Sequence, residues 1–198
     1  MTTSIQPIAA IHDADAAILR GHVVQCTRAA FAAYSVHVDL DAGDPYQPAH
    51  DAQIVAFIGF GGARMRGTLT VVAPHALWRE TYPIVGSAGS EPDDNDLLDW
   101  CGEVVNQVLG RIKNQLLRSG VELQVSTPKA LRASQLTIST SAQKTVCVLR
   151  SSATDGTSIG VWFDAMVEES GILFPSPSEA LPSGDVADSM NEGDALLF

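Results

Sequence analysis

Apolar positions at helical spacing, among them Ile18, Val24, Ala30 and Phe31, predict a first helix that Asp13 or Asp15 can cap and that runs to about Tyr34. Val36-His37-Val38-Asp39-Leu40 then alternates as a half-buried strand does, and Asp44-Pro45-Tyr46-Gln47-Pro48 breaks it. Gln53–Gly59 and Gly67–Val72 are apolar, β-branched runs joined by Phe60-Gly61-Gly62-Ala63-Arg64-Met65-Arg66. They read as a hairpin whose glycines supply the backbone freedom of a tight connection. Pro74–Tyr82 suits a short helix, and Gly86–Asn95 is a flexible Gly/Ser/Asp-rich approach to a second long helix.

That helix has the strongest pattern in the chain. It starts at Asp94 or Asn95, runs to about Arg118 and stops at Gly120, a residue that ends helices readily. At about 100° per residue, Leu97, Cys101, Val104, Val105, Val108, Leu109, Ile112 and Leu116 gather on one side, which must face a sheet. Asp99, Glu103, Asn106, Gly110 and Lys113 fall opposite. Glu103 and Asn106, three apart, emerge one turn from each other. Gly110 costs about 1 kcal/mol against alanine inside a helix, and a missing side chain one turn beyond Asn106 would let another backbone approach. By spacing alone such a stripe is an ordinary solvated face.

Beyond it, Val121–Val125 and Leu136–Ser139 read as strands, and Lys144–Arg150 and Thr157–Asp164 as a second hairpin turned at Asp155-Gly156. Helix, strand, hairpin thus occurs twice. The fold class is α/β in the α+β sense: a mostly antiparallel sheet with two long helices, built from two pseudo-duplicated halves. From Pro175 to Phe198 the chain has five acids, three prolines and no Lys or Arg, which predicts a disordered tail over 175–198 after a domain over 1–174.

Composition narrows the function. The 198 residues are 45% hydrophobic, enough for a full core, and 12 Lys and Arg against 23 Asp and Glu leave a formal charge of −11. That balance repels phosphate backbones and anionic lipid, which argues against nucleic-acid and membrane-surface partners. No uncharged run exceeds 12 residues, too short to span a bilayer, and the N-terminus lacks the basic and apolar regions of an export signal, so a cytoplasmic location is expected. Cys26, Cys101 and Cys147 are scattered, with no CxxC, which disfavours both a disulfide framework and a thiolate metal site.

Asp99-Trp100-Cys101-Gly102-Glu103-Val104-Val105-Asn106, followed by Pro128, resembles the signature of the CheC/CheX/FliY family of response-regulator phosphatases: an Asp or Ser, three residues, Glu, two residues, Asn, and a later Pro. The 21 residues between Asn106 and Pro128 are one fewer than that pattern usually has. Gln53–Phe60 with Gly67–Val71 also looks like the hairpin preceding the helix in CheX-like domains, and the likeness spans residues 13 to 168. It implies hydrolysis of the aspartyl phosphate of a CheY-type response regulator in chemotaxis or other two-component signalling. By motif position Asn106 would orient the attacking water, Glu103 would anchor the regulator's active-site lysine, and Asp99 would be a supporting or capping contact. Gly110 and Pro128 would support them. The first helix has no Glu at all, which implies one site per chain, as in CheX-like members. No cofactor of its own is implied, because the Mg²⁺ belongs to the regulator. A homodimer is the further partner that the resemblance allows.

The C-terminal Asp194-Ala195-Leu196-Leu197-Phe198 is similar to acidic-amphipathic peptides that dock on CheY-type regulators, and a leash ending in it would raise effective concentration without a catalytic contact. The alternative to an enzyme is a non-catalytic adaptor of the same fold that docks a regulator or a flagellar switch component. His22 and Cys26, four apart, lack a third metal ligand; Gly59-Phe60-Gly61-Gly62 lacks the setting of a dinucleotide loop; Trp78, Trp100 and Trp162 suit a core or an interface better than a ligand cage.

Overall fold

The computed structural model describes residues 13–40, 53–83, 92–134, 147–151 and 158–167. Expectations for Asp44–Pro48, the approach before Pro92, Leu136–Ser139, the turn at Asp155-Gly156 and the tail with Asp194, Leu196, Leu197 and Phe198 lie outside those residues.

Helix α1 (Asp13–Ala32) leads to strand β1 (Val38–Leu40), the hairpin β2 (Gln53–Gly61) and β3 (Met65–Pro74), and the short helix α2 (His75–Thr81). Helix α3 (Asp94–Leu117) is followed by β4 (Gln124–Val125), β5 (Lys129–Ala133) and the second hairpin, β6 (Cys147–Ser151) with β7 (Ser158–Val167). One antiparallel sheet runs β1-β6-β7-β3-β2-β4, and β5 lies beside β2 on the same edge as β4. The strand after each helix pairs with the other half's hairpin: β1 with β6, and β4 and β5 with β2. The central pairing is β3 with β7. This is the duplicated arrangement that the element order predicts.

The two helices also stop in the same way. After α3, Gly120 takes φ 72, its N–H donates to Leu117 O at 2.9 Å, and the Val121 N–H donates to Leu116 O at 3.1 Å. After α1, Ser35 takes φ 62, with Ser35 N–H to Ala32 O at 3.0 Å and Val36 N–H to Phe31 O at 3.1 Å. Both are left-handed helix terminations of the Schellman type, in which the reversed residue returns two amides to orphan carbonyls. Serine hides the second of them from the sequence.

Burial follows the alternation. Ile54, Ala56, Ile58 and Phe60 of β2, Leu69, Val71 and Ala73 of β3, and Ile159, Val161 and Phe163 of β7 point to the helix-covered face. All eight residues assigned to the inner side of α3 are at most 1% exposed. Each large aliphatic among them represents about 2–5 kcal/mol lost on truncation to alanine. Phe60 and Phe163 stack at 4.8 Å over Gly67, where a Cβ would collide with the Asp164 carbonyl. Trp78 is fully buried, its indole donating to Ile54 O at 3.3 Å, whereas Trp162 lies on the opposite face with Val55 and Val72.

Several elements differ from expectation: both strands of the first hairpin run into the predicted connection, β2 to Gly61 and β3 from Met65. Strand β1 begins at Val38, because Val36 is spent on the helix stop. The strand expected over Val121–Val125 is reduced to Gln124–Val125 for the same reason: Val121 is tied back to Leu116. Strand β5 was not predicted. Lys129-Ala130-Leu131-Arg132-Ala133 carries two charges and no strand pattern of its own, yet β2 offers it an unpaired edge over Gln53–Phe57.

Candidate functional site

Helix α3 is fastened at its start by Asp93. The Asp93 carboxylate accepts from the Asn95 and Asp96 amides at 2.8 and 2.9 Å, and Asp96 accepts in return from the Asp93 amide at 3.3 Å. This reciprocal box satisfies the helix's free donors and places acids where the helix dipole favours them. Capping therefore belongs to Asp93 and Asp96, and Asp99, inside the helix, does not serve as a cap.

On the sheet-distal side Asp99 and Glu103 are exposed, while Asn106, Gly110 and Lys113 are half-buried. The stripe is thus less uniformly solvated than its spacing suggests, and the two flanks of α3 explain why. On one flank lies Gly102, buried, at a distance from which a Cβ would touch Pro128 at 3.6 Å. Asn106 is one turn on from Gly102 and shares that side. Pro128 is held there because the Ser126 amide donates to Gly59 O at 2.9 Å and Ser126 Oγ accepts from the Gly59 amide at 3.0 Å, anchoring the loop to β2. The structure thus brings Pro128 beside the helix at the signature.

The other flank faces α1. Gln107 Nε2 donates to Glu103 Oε1 at 3.2 Å, and Tyr34 Oη donates to Gln107 Oε1 at 2.7 Å. The Tyr34 ring meets Trp100 edge-on at 4.9 Å, and Trp100 Nε1 donates to Thr81 Oγ1 at 3.0 Å. Gln107 and Tyr34 were missed in the sequence. The four-residue step from Glu103 could have flagged Gln107, but nothing local ties Tyr34 to either.

At Gly110 a Cβ would meet nothing within 4 Å, so packing inside this chain does not require the glycine. From Asp93 to Glu103 the helix carries Asp93, Asp94, Asp96, Asp99 and Glu103 and no base, which favours a cationic group approaching from solvent. Arg132 of β5 pairs with Asp94, with His75 Nε2 2.9 Å from the same guanidinium.

Among the described residues the two buried thiols are unreactive. Burial pushes the Cys26 thiol up to about 11, an effect that Arg111 only partly opposes. Burial also pushes the Cys101 thiol up, against a smaller opposing hydrogen bond from its own backbone. Both thiols stay neutral and are poor nucleophiles. Among the described residues no group of three His, Cys, Asp or Glu is placed to hold a metal, and no helix is long and apolar enough to cross a membrane. A cavity of about 640 Å³ lies at the turn of the first hairpin, lined by Gly59–Ala63, Gly67 and Gln124–Ser126, with no residue of α3 in its wall. Glu103 and Asn106 thus stand on a convex helix face. Such a face cannot enclose a small substrate, but it can enter a cleft on a larger partner.

The fold and the furnished helix together define a CheX-like α+β domain. Residues 54–151 match the family described as "Chemotaxis phosphatase CheX", and the fold is consistent with the CheC/CheX/FliY family. Among solved structures, the chemotaxis protein CheX from Vibrio vulnificus is 19% identical, with 74% of this chain and 99% of that one covered at a TM-score of 0.59. A CheC-like superfamily protein from Shewanella sp. PV-4 is 18% identical, covers 76% and 97%, and has a TM-score of 0.59. The CheX–CheY–BeF3–Mg²⁺ complex from Borrelia burgdorferi is 13% identical, covers 75% and 97%, and has a TM-score of 0.52. No curated protein matches the sequence.

Proposed function

We propose that the chain is a phosphatase that hydrolyses the aspartyl phosphate of a CheY-type response regulator in the cytoplasm. The observation that carries the reading is the Glu103/Asn106 pair, one turn apart on a convex helix face, with Pro128 against the adjoining Gly102 and open space at Gly110. The solved complex of a CheX with CheY, BeF3 and Mg²⁺ supports the choice of partner.

The chemistry asks little of the phosphatase. The regulator holds its own Mg²⁺ and phosphoryl group, and the transition state of phosphoryl transfer is loose, so a positioned water needs no strong base. Asn106 would present its amide to that water and hold it in line with the scissile bond. Water oxygen bonds to phosphorus, the bond between phosphorus and the aspartyl oxygen breaks, and inorganic phosphate leaves with the water's protons while the carboxylate is restored. Glu103 would hold the regulator's lysine through a charge-assisted contact, fixing the depth at which Asn106 enters. Asp99 adds negative charge one turn earlier. Beyond Asn106, the bare backbone at Gly110 lets the regulator's surface close on the helix.

The test follows phosphoryl decay on a CheY-type regulator with the wild-type chain, Asn106→Ala and a chain truncated after Phe174. Faster decay with wild type and not with Asn106→Ala is expected. The truncated chain is expected to need more protein for the same rate, because it lacks Asp194, Leu196, Leu197 and Phe198. Binding with unchanged decay would make the chain an adaptor instead.

A further inference from the structure

We infer that Tyr34 and Gln107 are positioning residues for Glu103: the end of helix α1 sets the rotamer of the carboxylate that helix α3 presents to the regulator. The inference rests on the phosphatase reading and adds to it a device outside the signature. An ionised Glu103 can only accept, so the donor facing it must be the Gln107 amide NH₂. Its carbonyl oxygen then faces Tyr34, and the phenol must donate. The observed contacts have that polarity, at 3.2 and 2.7 Å. Tyr34 cannot drift, because its own amide donates to Phe31 O at 2.9 Å within the helix stop and its ring lies edge-on to Trp100 at 4.9 Å. Trp100 is tethered in turn to Thr81. A chain of fixed groups from α2 and α1 therefore ends on one oxygen of Glu103 and leaves the other free for a cation.

The consequence is pre-organisation. A free glutamate loses rotamer freedom when it engages a partner, and a held one has lost it on folding. Loss of the relay should weaken capture of the regulator and spare the water-positioning step on Asn106.

The experiment measures regulator-phosphate hydrolysis as a function of regulator concentration for wild type, Tyr34→Phe and Gln107→Ala, each also in a Glu103→Ala background. Tyr34→Phe keeps the ring against Trp100 and removes only the hydroxyl. KM is expected to rise about three- to tenfold in both single variants with kcat within about twofold. Neither substitution should change KM further once Glu103 is alanine. An unchanged KM, a fall in kcat at constant KM, or an equal loss in the Glu103→Ala background would each overturn the inference while the phosphatase reading stands. A wild-type chain that leaves decay unchanged would remove that reading and this inference with it. Gln107→Ala lies on a half-exposed face and keeps the helix, so a folding defect in one variant does not block the test.

Discussion

Helices α1 and α3 are the same element used twice, and they differ in what they offer to solvent. Each is followed by a strand that crosses to the other half's hairpin, and each ends in a left-handed stop, at Ser35 and Gly120. Aligning those stops sets Leu19, Val23, Val24, Thr27 and Phe31 opposite Val104, Val108, Leu109, Ile112 and Leu116, all buried. The same alignment sets Ile18 and Gly21 opposite Glu103 and Asn106. The inward faces obey one packing rule, and the proposed Glu103/Asn106 pair stands on only one of the two outward faces. A duplicated fold offers two equivalent places for a site, and occupying one frees the other helix for support. Helix α1 serves that way: His22 and Cys26 are buried along it, and Tyr34, just past its end, reaches Gln107.

The sharpest way to break this comparison is at Asn106. Asn106→Ala should lower the maximal rate of regulator dephosphorylation about 100-fold, the usual scale for removing one positioned polar group. Ile18→Ala and Gly21→Ala on α1 should leave the rate alone, and a comparable loss there would mean that both helices work. Glu103→Ala should come next, raising the regulator concentration for half-maximal rate at least about tenfold, since a charge-assisted contact contributes roughly 1.5–3 kcal/mol. Titration against BeF3-activated regulator measures that directly.

The helix stops are expected to answer with opposite signs. Gly120→Ala puts a Cβ at φ 72 and should cost about 1 kcal/mol in denaturant unfolding, while Ser35→Gly relieves the same conformation at φ 62 and should add a fraction of that. Two losses would show that the stops are not equivalent. The smallest effect on stability separates fold from function: Gly110→Ala should stabilise α3 by up to about 1 kcal/mol, because its methyl meets nothing in this chain, and yet should weaken regulator binding. Stabilisation with unchanged binding would assign Gly110 no part in the interface.

Much of this was legible along the chain. The inner side of α3 was readable residue by residue, because helical periodicity and burial are the same fact seen in one dimension and in three. The first hairpin was readable because β2 and β3 are adjacent in sequence and strongly β-branched. Strand β5 was not, since its five residues have no strand character of their own and pair only where β2 leaves an edge open. The stop at Ser35 was hidden because serine adopts a left-handed conformation only when the return hydrogen bonds and the following strand demand it.

The sequence by itself determined which side of α3 faces the sheet, where that helix ends, and that Asp99, Glu103, Asn106 and Gly110 share its outer side. These depend on residues within a few turns of one another, where spacing is geometry. The tertiary structure alone decided that Pro128 rests on Gly102 and that Tyr34, from the other half of the molecule, reaches Gln107 beside the carboxylate. Those contacts join residues far apart along the chain, and no local preference specifies them. They exist because crossing strands pull the two halves together and press one helix against the other.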